Sequence, residues 1–360
     1  MMRRVVVKVG TSTLSGRAGR LSRRRVQQIA DDVAAVRAER RQVVLVSSGA
    51  VGAGMASLGL ARRPERLTDL QAAAAIGQHH LMQQYERALR RHRIVPAQIL
   101  LTAADLHDRA RYLNARNTVL ALLARKVLPI INENDTVATD EIRFGDNDRL
   151  SALVANLIDA DLLVILSNVD GCYDEAGRLI SRITAFTEAV RRVATSKAGA
   201  SSVGGMASKL QAAEMVTRAG IPCVIASGLR PGVLQAAVRG EQVGTYCEAR
   251  STGLGERKRW VAFAVKPSGR IVVDDGARQA LLERGKSLLA SGVLESRGRF
   301  AVGDPVGIDD RQGREIARGL VNYSSDDLAR VKGLRSSEIE SMLGAKAFDE
   351  VVHRSNLVVL

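Results

Sequence analysis

Apolar runs of strand length alternate with stretches of helical period through residue 226. Residues 5–9 are short and Val-rich, the pattern of a strand buried on both faces. Val26, Ile29, Ala30, Val33, Ala34 and Val36 then recur at helical spacing, with Ser22 placed to cap the first turn. Residues 43–46 give a second strand, residues 69–89 a long helix rich in Ala and Gln, and residues 94–101 and 127–131 two more strands. Residues 137–144, closed by Gly145, read as a small hairpin. Residues 149–157 read as helix, 162–166 as strand, 207–219 as helix and 223–226 as strand. This alternation predicts an α/β domain: a three-layer α/β/α sandwich with a mostly parallel central sheet. Ligands of such sheets bind beyond the carboxyl ends of the strands.

The pattern changes near residue 247. Residues 251–260 carry Ser251, Gly253, Gly255 and a basic run to Arg259, and read as a linker. Short strands follow at 270–273, 305–308, 316–321 and 356–360, and the turn at 309–313 marks a hairpin. The expected division is residues 1–250, a linker 251–260 and a small β-rich domain at 261–360. No apolar run reaches the ~20 residues of a membrane helix, and the apolar stretch after Arg4 is too short for a secretory signal. Cys172, Cys223 and Cys247 show no CxxC spacing and read as reduced thiols of a cytoplasmic protein. The five His residues form no HExxH pattern, which argues against a zinc enzyme.

A net charge of +15 invites a nucleic-acid reading. Two counts oppose it. Aromatic residues make up only 3% of the chain, so stacking platforms are scarce. Residues 251–360 carry 18 Lys and Arg against 15 Asp and Glu, which leaves most of the excess outside the small domain. Lysine usage says more. Residues 1–250 hold only Lys8, Lys126, Lys197 and Lys209 in a chain that otherwise uses Arg. A retained Lys presents a compact ammonium where a planar guanidinium would not fit. Lys126 and Lys197 read as surface residues; Lys8 and Lys209 stand beside glycine-rich turns.

Several familiar motifs are absent: there is no GxxxxGK[ST] loop, no GxGxxG after a strand and no GxSxG elbow. Five strand ends carry the chemistry instead. Lys8 precedes Gly10, Thr11 and Ser12; it reads either as an edge lysine reaching solvent or as a buried cation awaiting an anion. Ser47, Ser48 and Gly49 open a helix rich in small residues, a start that attracts carboxylate or phosphate. Asn132, Glu133, Asn134 and Asp135 follow an apolar strand, a density of carboxylates and amides suited to an ammonium group. Asp146, Asn147 and Asp148 precede a helix, and a cap explains only one of them. Ser167 and Asn168 end a strand, while Val203, Gly204, Gly205, Met206, Ala207, Ser208 and Lys209 form a glycine-rich loop running into a helix. Two lysines, glycine turns and clustered carboxylates at strand ends suit phosphoryl transfer without a P-loop.

These segments, in this order and spacing, resemble the amino acid kinase family and, within it, the glutamate 5-kinases. The likeness extends through residues 98–117 and covers essentially the whole chain. Val273-Asp274-Asp275-Gly276-Ala277 and Gly319-Leu320-Val321-Asn322-Tyr323 resemble the PUA domain appended to many bacterial members. The resemblance implies an ATP-dependent phosphotransferase with a carboxylate acceptor. ATP and L-glutamate would give ADP and L-glutamate 5-phosphate, the first step of proline biosynthesis. It places Lys8 and Lys209 on the transferring phosphoryl group and Asp148 between them as their orienting carboxylate. It places Ser48, Asp135, Asn147 and Asp146 at the glutamate site. Lys8, Ser167, Asn168 and the loop Val203, Gly204, Gly205, Met206, Ala207, Ser208, Lys209 fall at the nucleotide. Mg²⁺ is implied with the nucleotide phosphates, with no protein metal ligand assigned. The resemblance also implies a cytoplasmic homo-oligomer, feedback inhibition by proline and a functional link to glutamyl-phosphate reductase. Two departures bear on the nucleotide. Ser167-Asn168 stands where the family usually has Thr-Asp, and Ser202 stands where it usually has glycine.

Two other readings compete. One is a family member acting on aspartate, N-acetylglutamate or a nucleoside monophosphate. The other is an RNA-binding protein, since PUA domains often bind RNA; the near-neutral small domain and the kinase-like strand ends oppose it. No membrane association is expected.

Overall fold

The valines of β1 (Arg4–Val9) suit the middle of a sheet, because a β-branched run buried on both faces packs best with a strand on either side. In this computed structural model, β1 pairs in parallel with β2 (Gln42–Ser47) and with β5 (Leu162–Ser167). The structure describes residues 3–16, 21–60, 62–138, 147–196, 205–249, 267–343 and 348–360. The chain divides into two units, Met1–Thr252 and Gly253–Leu360. The sheet of the first unit runs β3 (Pro96–Leu101), β4 (Leu128–Glu133), β2, β1, β5, β7 (Cys223–Ser227), β8 (Thr245–Cys247), β6 (Arg182–Ile183). Among the described residues, only the β7–β8 pairing of this sheet is antiparallel. After β1 the chain builds toward β3 and later returns to build away from β5, so the order reverses around β1. The carboxyl ends of β1, β2 and β5 therefore flank the crevice where such sheets bind ligands.

The described connections carry α1 (Thr11–Leu14), α2 (Arg23–Ala38), α3 (Ala50–Ser57), α4 (Leu67–Arg90), α5 (Ala103–His107) and α6 (Arg109–Ala124). They continue with α7 (Asn147–Leu157), α8 (Glu188–Ser196), α9 (Met206–Arg218) and α10 (Val233–Arg239). Ser22 caps α2 as its position predicts, its hydroxyl accepting from Arg25 N–H. Strand alternation then sorts the layers. Val5, Val7 and Val9 pack into a core with residues of α2, α4 and α10. Val6 and Lys8 point to the other face, against which α7 and α9 pack. Every residue of α7 except Arg149 is buried, so this helix is enclosed on all sides. α3 and α4 meet at two glycines. A Cβ on Gly54 would lie 1.7 Å from Ala73 O, and one on Gly77 would lie 1.8 Å from Ala50 O.

The second unit has a five-stranded sheet in the order β11 (Val293–Gly298), β9 (Gly269–Val273), β12 (Pro305–Asp309), β13 (Glu315–Leu320), β15 (Leu357–Val359). β10 (Leu288–Leu289) pairs with β14 (Glu350–Val352). α11 (Asp275–Leu282), α12 (Ser325–Val331) and α13 (Ile339–Leu343) complete it. Ile271, Val273, Val306, Ile308, Leu328 and Val352 share a core of their own. The hairpin expected from the turn at 309–313 is present as β12–β13. β11 is a strand the pattern does not announce, since it lies at the sheet edge and five of its six residues keep some exposure. Most of the hairpin expected at 137–144, its closing Gly145, and the linker at 251–260 lie outside the described residues.

Candidate active site

Lys8 is the fifth residue of β1 and lies in register with Val46 of β2 and Ile165 of β5. A central position allows no route to solvent along an edge, and Lys8 is 4% exposed. The edge-lysine reading is thereby corrected. A buried ammonium requires an anion, and α7 delivers one. Asp148, 1% exposed, places Oδ1 2.6 Å from Lys8 Nζ. Its Oδ2 lies 3.3 Å from Lys209 Nζ and accepts from Ser208 Oγ at 2.7 Å. Burial pushes the Asp148 carboxyl up, but the charges of Lys8 and Lys209, with hydrogen bonds from Lys8 and Ser208, outweigh it and hold it below the usual carboxylate range. Three strongly separated segments thus meet in one cluster with two positive charges and one negative. The surplus positive charge suits phosphoryl oxygens.

Gly205 caps α9, and its carbonyl accepts from Ser208 Oγ at 2.9 Å and Lys209 Nζ at 3.4 Å. Met206 and Ala207 form the first turn of the helix with Ser208 and Lys209. Ser208 is expected only as part of a phosphate loop; here its hydroxyl also holds Asp148. Ser167 is buried at the end of β5 beside Ser227 of β7, and Asn168 is exposed. Val203, Gly204 and Asp146, all expected at the site, lie outside the described residues, as does Ser202.

A second cluster joins Ser48 to Asn147. Asn147 Nδ2 donates to Ser48 Oγ at 2.9 Å, to Asn132 Oδ1 at 3.0 Å and to the Ser47 carbonyl at 3.4 Å. Asn132 Nδ2 donates in turn to Gln78 Oε1 at 2.7 Å. The Ser47 and Tyr85 hydroxyls share a hydrogen bond of 2.9 Å. The strand before the polar segment runs on to Glu133, so Asn132 and Glu133 belong to β4 and the loop starts at Asn134. Asp135 sits half-buried on the turn after it, where burial pushes its carboxyl up to about 6 against the opposing charge of Arg63. α7 likewise starts at Asn147, which puts Asn147 and Asp148 on its first turn and not before it.

Gln78 and Tyr85 are site neighbours that sequence reasoning did not single out, while Ser47 and Asn132 entered it only as parts of their segments. For Gln78 a signal existed. It falls in the series Leu70, Ala74, Gln78, Leu81, Tyr85, the buried stripe of α4, where an apolar residue is expected. Among the described residues, no group of three His, Cys, Asp or Glu side chains is placed to hold a metal ion.

Residues 3–227, which contain both clusters, match the amino acid kinase family. The chain belongs to the amino acid kinase family. Residues 269–343 match the PUA domain, which falls in the second unit. Among curated members, the glutamate 5-kinase of Moorella thermoacetica is 48% identical, over 99% of this chain and 96% of that protein. That of Pelobacter propionicus is 46% identical, over 100% of this chain and 98% of that protein. A more distant solved structure, a carbamate kinase from Giardia lamblia bound to AMP-PNP, is 17% identical with a TM-score of 0.49, over 69% of this chain and 99% of that one. As an amino acid kinase the chain is an enzyme, a kinase with a mostly parallel central sheet and a separate β-rich PUA region.

Proposed function

We propose that this kinase transfers the γ-phosphoryl group of ATP to the side-chain carboxylate of L-glutamate, giving ADP and L-glutamate 5-phosphate. The observation that carries the reading is the Lys8–Asp148–Lys209 cluster at the carboxyl ends of the central strands. Near-full-length similarity to proteins named glutamate 5-kinase supports the choice of acceptor.

In the reaction a glutamate carboxylate oxygen attacks the γ-phosphorus. The new O–P bond forms as the bond to the β–γ bridging oxygen breaks, and that oxygen leaves on ADP. The acceptor is already ionised at neutral pH, so no general base is required. The protein's work is alignment and charge. Lys8 and Lys209 face oxygens whose negative charge moves during transfer. Asp148 holds both ammonium groups in place before substrate arrives. Ser208 fixes the free rotation of that carboxylate. Asp135 and Asn147 read the amino acid end of glutamate, Ser48 lies beside them, and Ser167 and the turn at Gly205 face the nucleotide. The described residues hold no ready-made cation cluster. Mg²⁺ would accompany the ATP phosphates in this reading and would neutralise part of their charge.

The product is an acyl phosphate and hydrolyses readily, so a reductase must take it promptly. That places the reaction at the head of proline biosynthesis, with proline inhibition, a homo-oligomeric state and a cytoplasmic location as parts of the same proposal. The test is ADP release in the presence of glutamate, with hydroxylamine added to trap the product as a hydroxamate. Glutamate-dependent hydroxamate is expected. ADP release that instead requires aspartate, N-acetylglutamate or a nucleoside monophosphate overturns the assignment.

A further inference from the structure

Gln78 is buried in the first unit, and the reaction as described gives it no task. The residue is 9% exposed. Its Oε1 accepts from Asn132, while its buried Nε2 has no hydrogen-bond partner among the described residues. The backbone fixes which end of each amide is which. Glu133 N–H donates to Asn132 Oδ1 at 2.9 Å, so Asn132 turns its NH₂ to Gln78, and Gln78 answers with its oxygen. The Ser47 carbonyl can only accept, so it fixes the NH₂ of Asn147 and leaves Asn147 Oδ1 over. Three amides therefore run head to tail from Asn147 through Asn132 to Gln78. They end in one unpaired acceptor and one unpaired donor.

A buried amide N–H without a partner is costly and rare. At a binding site, the ligand can supply the missing partner. An α-amino acid offers both complements on one carbon: an ammonium that donates and a carboxylate that accepts. Position supports the match. Gln78 follows Gly77, where α4 presses against the Ala50 carbonyl at the start of α3. The first N–H groups of that eight-residue helix lack intrahelical acceptors and favour an anion.

We propose that Gln78 Nε2 donates to the α-carboxylate of the amino acid substrate, which makes Gln78 a specificity-determining residue. The inference rests on the glutamate reading above and deepens it. Binding of L-glutamate, of 4-aminobutyrate (which lacks the α-carboxylate) and of the α-amide of glutamate tests it in the wild type, Gln78→Glu and Gln78→Met. KM serves for molecules that turn over and an inhibition constant for those that do not.

Gln78→Glu keeps an acceptor for Asn132 but sets a negative oxygen where the donor was. Glutamate affinity should fall about tenfold or more, with ATP KM and 4-aminobutyrate affinity unchanged. The α-amide should bind this variant better than the wild type, because its own NH₂ can donate to the introduced carboxylate. Gln78→Met should lose glutamate affinity without gaining the α-amide. Equal losses for glutamate and 4-aminobutyrate in a cooperatively unfolding variant overturn the proposal, since Gln78 would then only support Asn132. A wild type that binds 4-aminobutyrate as well as glutamate overturns it without any variant. A wild type with no glutamate turnover overturns the glutamate reading itself.

Discussion

One carboxylate between two ammonium groups makes the three partners respond differently to substitution. Removing Lys8 leaves Asp148 still paired with Lys209 and Ser208. Lys8→Met should therefore fold, with kcat reduced about a hundredfold or more and a nearly unchanged glutamate KM, because the lost interaction grows in the transition state. Steady-state kinetics check this, and a normal kcat would remove Lys8 from the chemistry. Asp148→Ala leaves two buried ammonium groups facing each other. It should cost about 3–5 kcal/mol of stability as well as activity, measured by denaturant unfolding. Asp135 behaves in the opposite sense. Its carboxyl is raised from 3.8 to about 6, so the folded chain holds that proton more tightly than the unfolded one. Its contribution to stability grows as pH falls between these values. Its ionised form, the form that pairs with an ammonium, is lost over the same range. kcat/KM for glutamate should fall about tenfold per pH unit below about 6. Asp135→Asn should abolish that inflection; if it persists, another group is responsible.

At the scale of elements, the close crossing of α3 and α4 ties packing to substrate binding. Gly77→Ala would drive a methyl into the Ala50 carbonyl, so the helices must separate. A loss of about 1–3 kcal/mol is expected. A weakened glutamate site should accompany it, because α4 carries Gln78 and α3 is joined to Ser48 through Gly49 alone; thermal unfolding and glutamate KM report the two effects. The β7–β8 ladder makes a separate point. Cys223 and Cys247 are paired across it, and burial, with Cys172 beside Cys247, pushes the Cys247 thiol up to about 12. None of the three cysteines should react with a thiol reagent at pH 8 until the chain is denatured; a fast native thiol would mean that β8 opens. The central strands were legible because each carries an apolar run, residues 5–7 in β1, 43–46 in β2 and 162–166 in β5, with polar residues following it. β6 and β8, two and three residues long, leave no pattern to read. Lys8 and Lys209 were legible through the scarcity of lysine. Gln78 was not, because a glutamine in an Ala- and Gln-rich helix reads as solvated unless its place in the buried stripe is noticed.

For the molecule as a whole, the two cores share no residues: one draws on residues 5–238 and the other on 271–357. The described residues assigned to chemistry lie between Lys8 and Lys209. A chain ended after Thr252 should therefore unfold cooperatively and retain glutamate-dependent ATP turnover. A soluble, folded truncation without turnover would show that the second unit is needed to complete the site. The placing of β1 has a consequence for the protein's birth. Val5 leaves the ribosome early, but its partner Leu162 in β5 follows far behind, as does Asp161, which binds Arg4 N–H across a separation of 157 residues. Asp148 too arrives long after Lys8. At ~5–20 residues per second, β1 spends on the order of ten seconds or more with one edge open and its lysine uncompensated. An open parallel edge of valines is a template for wrong pairing, so the half-synthesised chain is the form of this protein most in need of a chaperone.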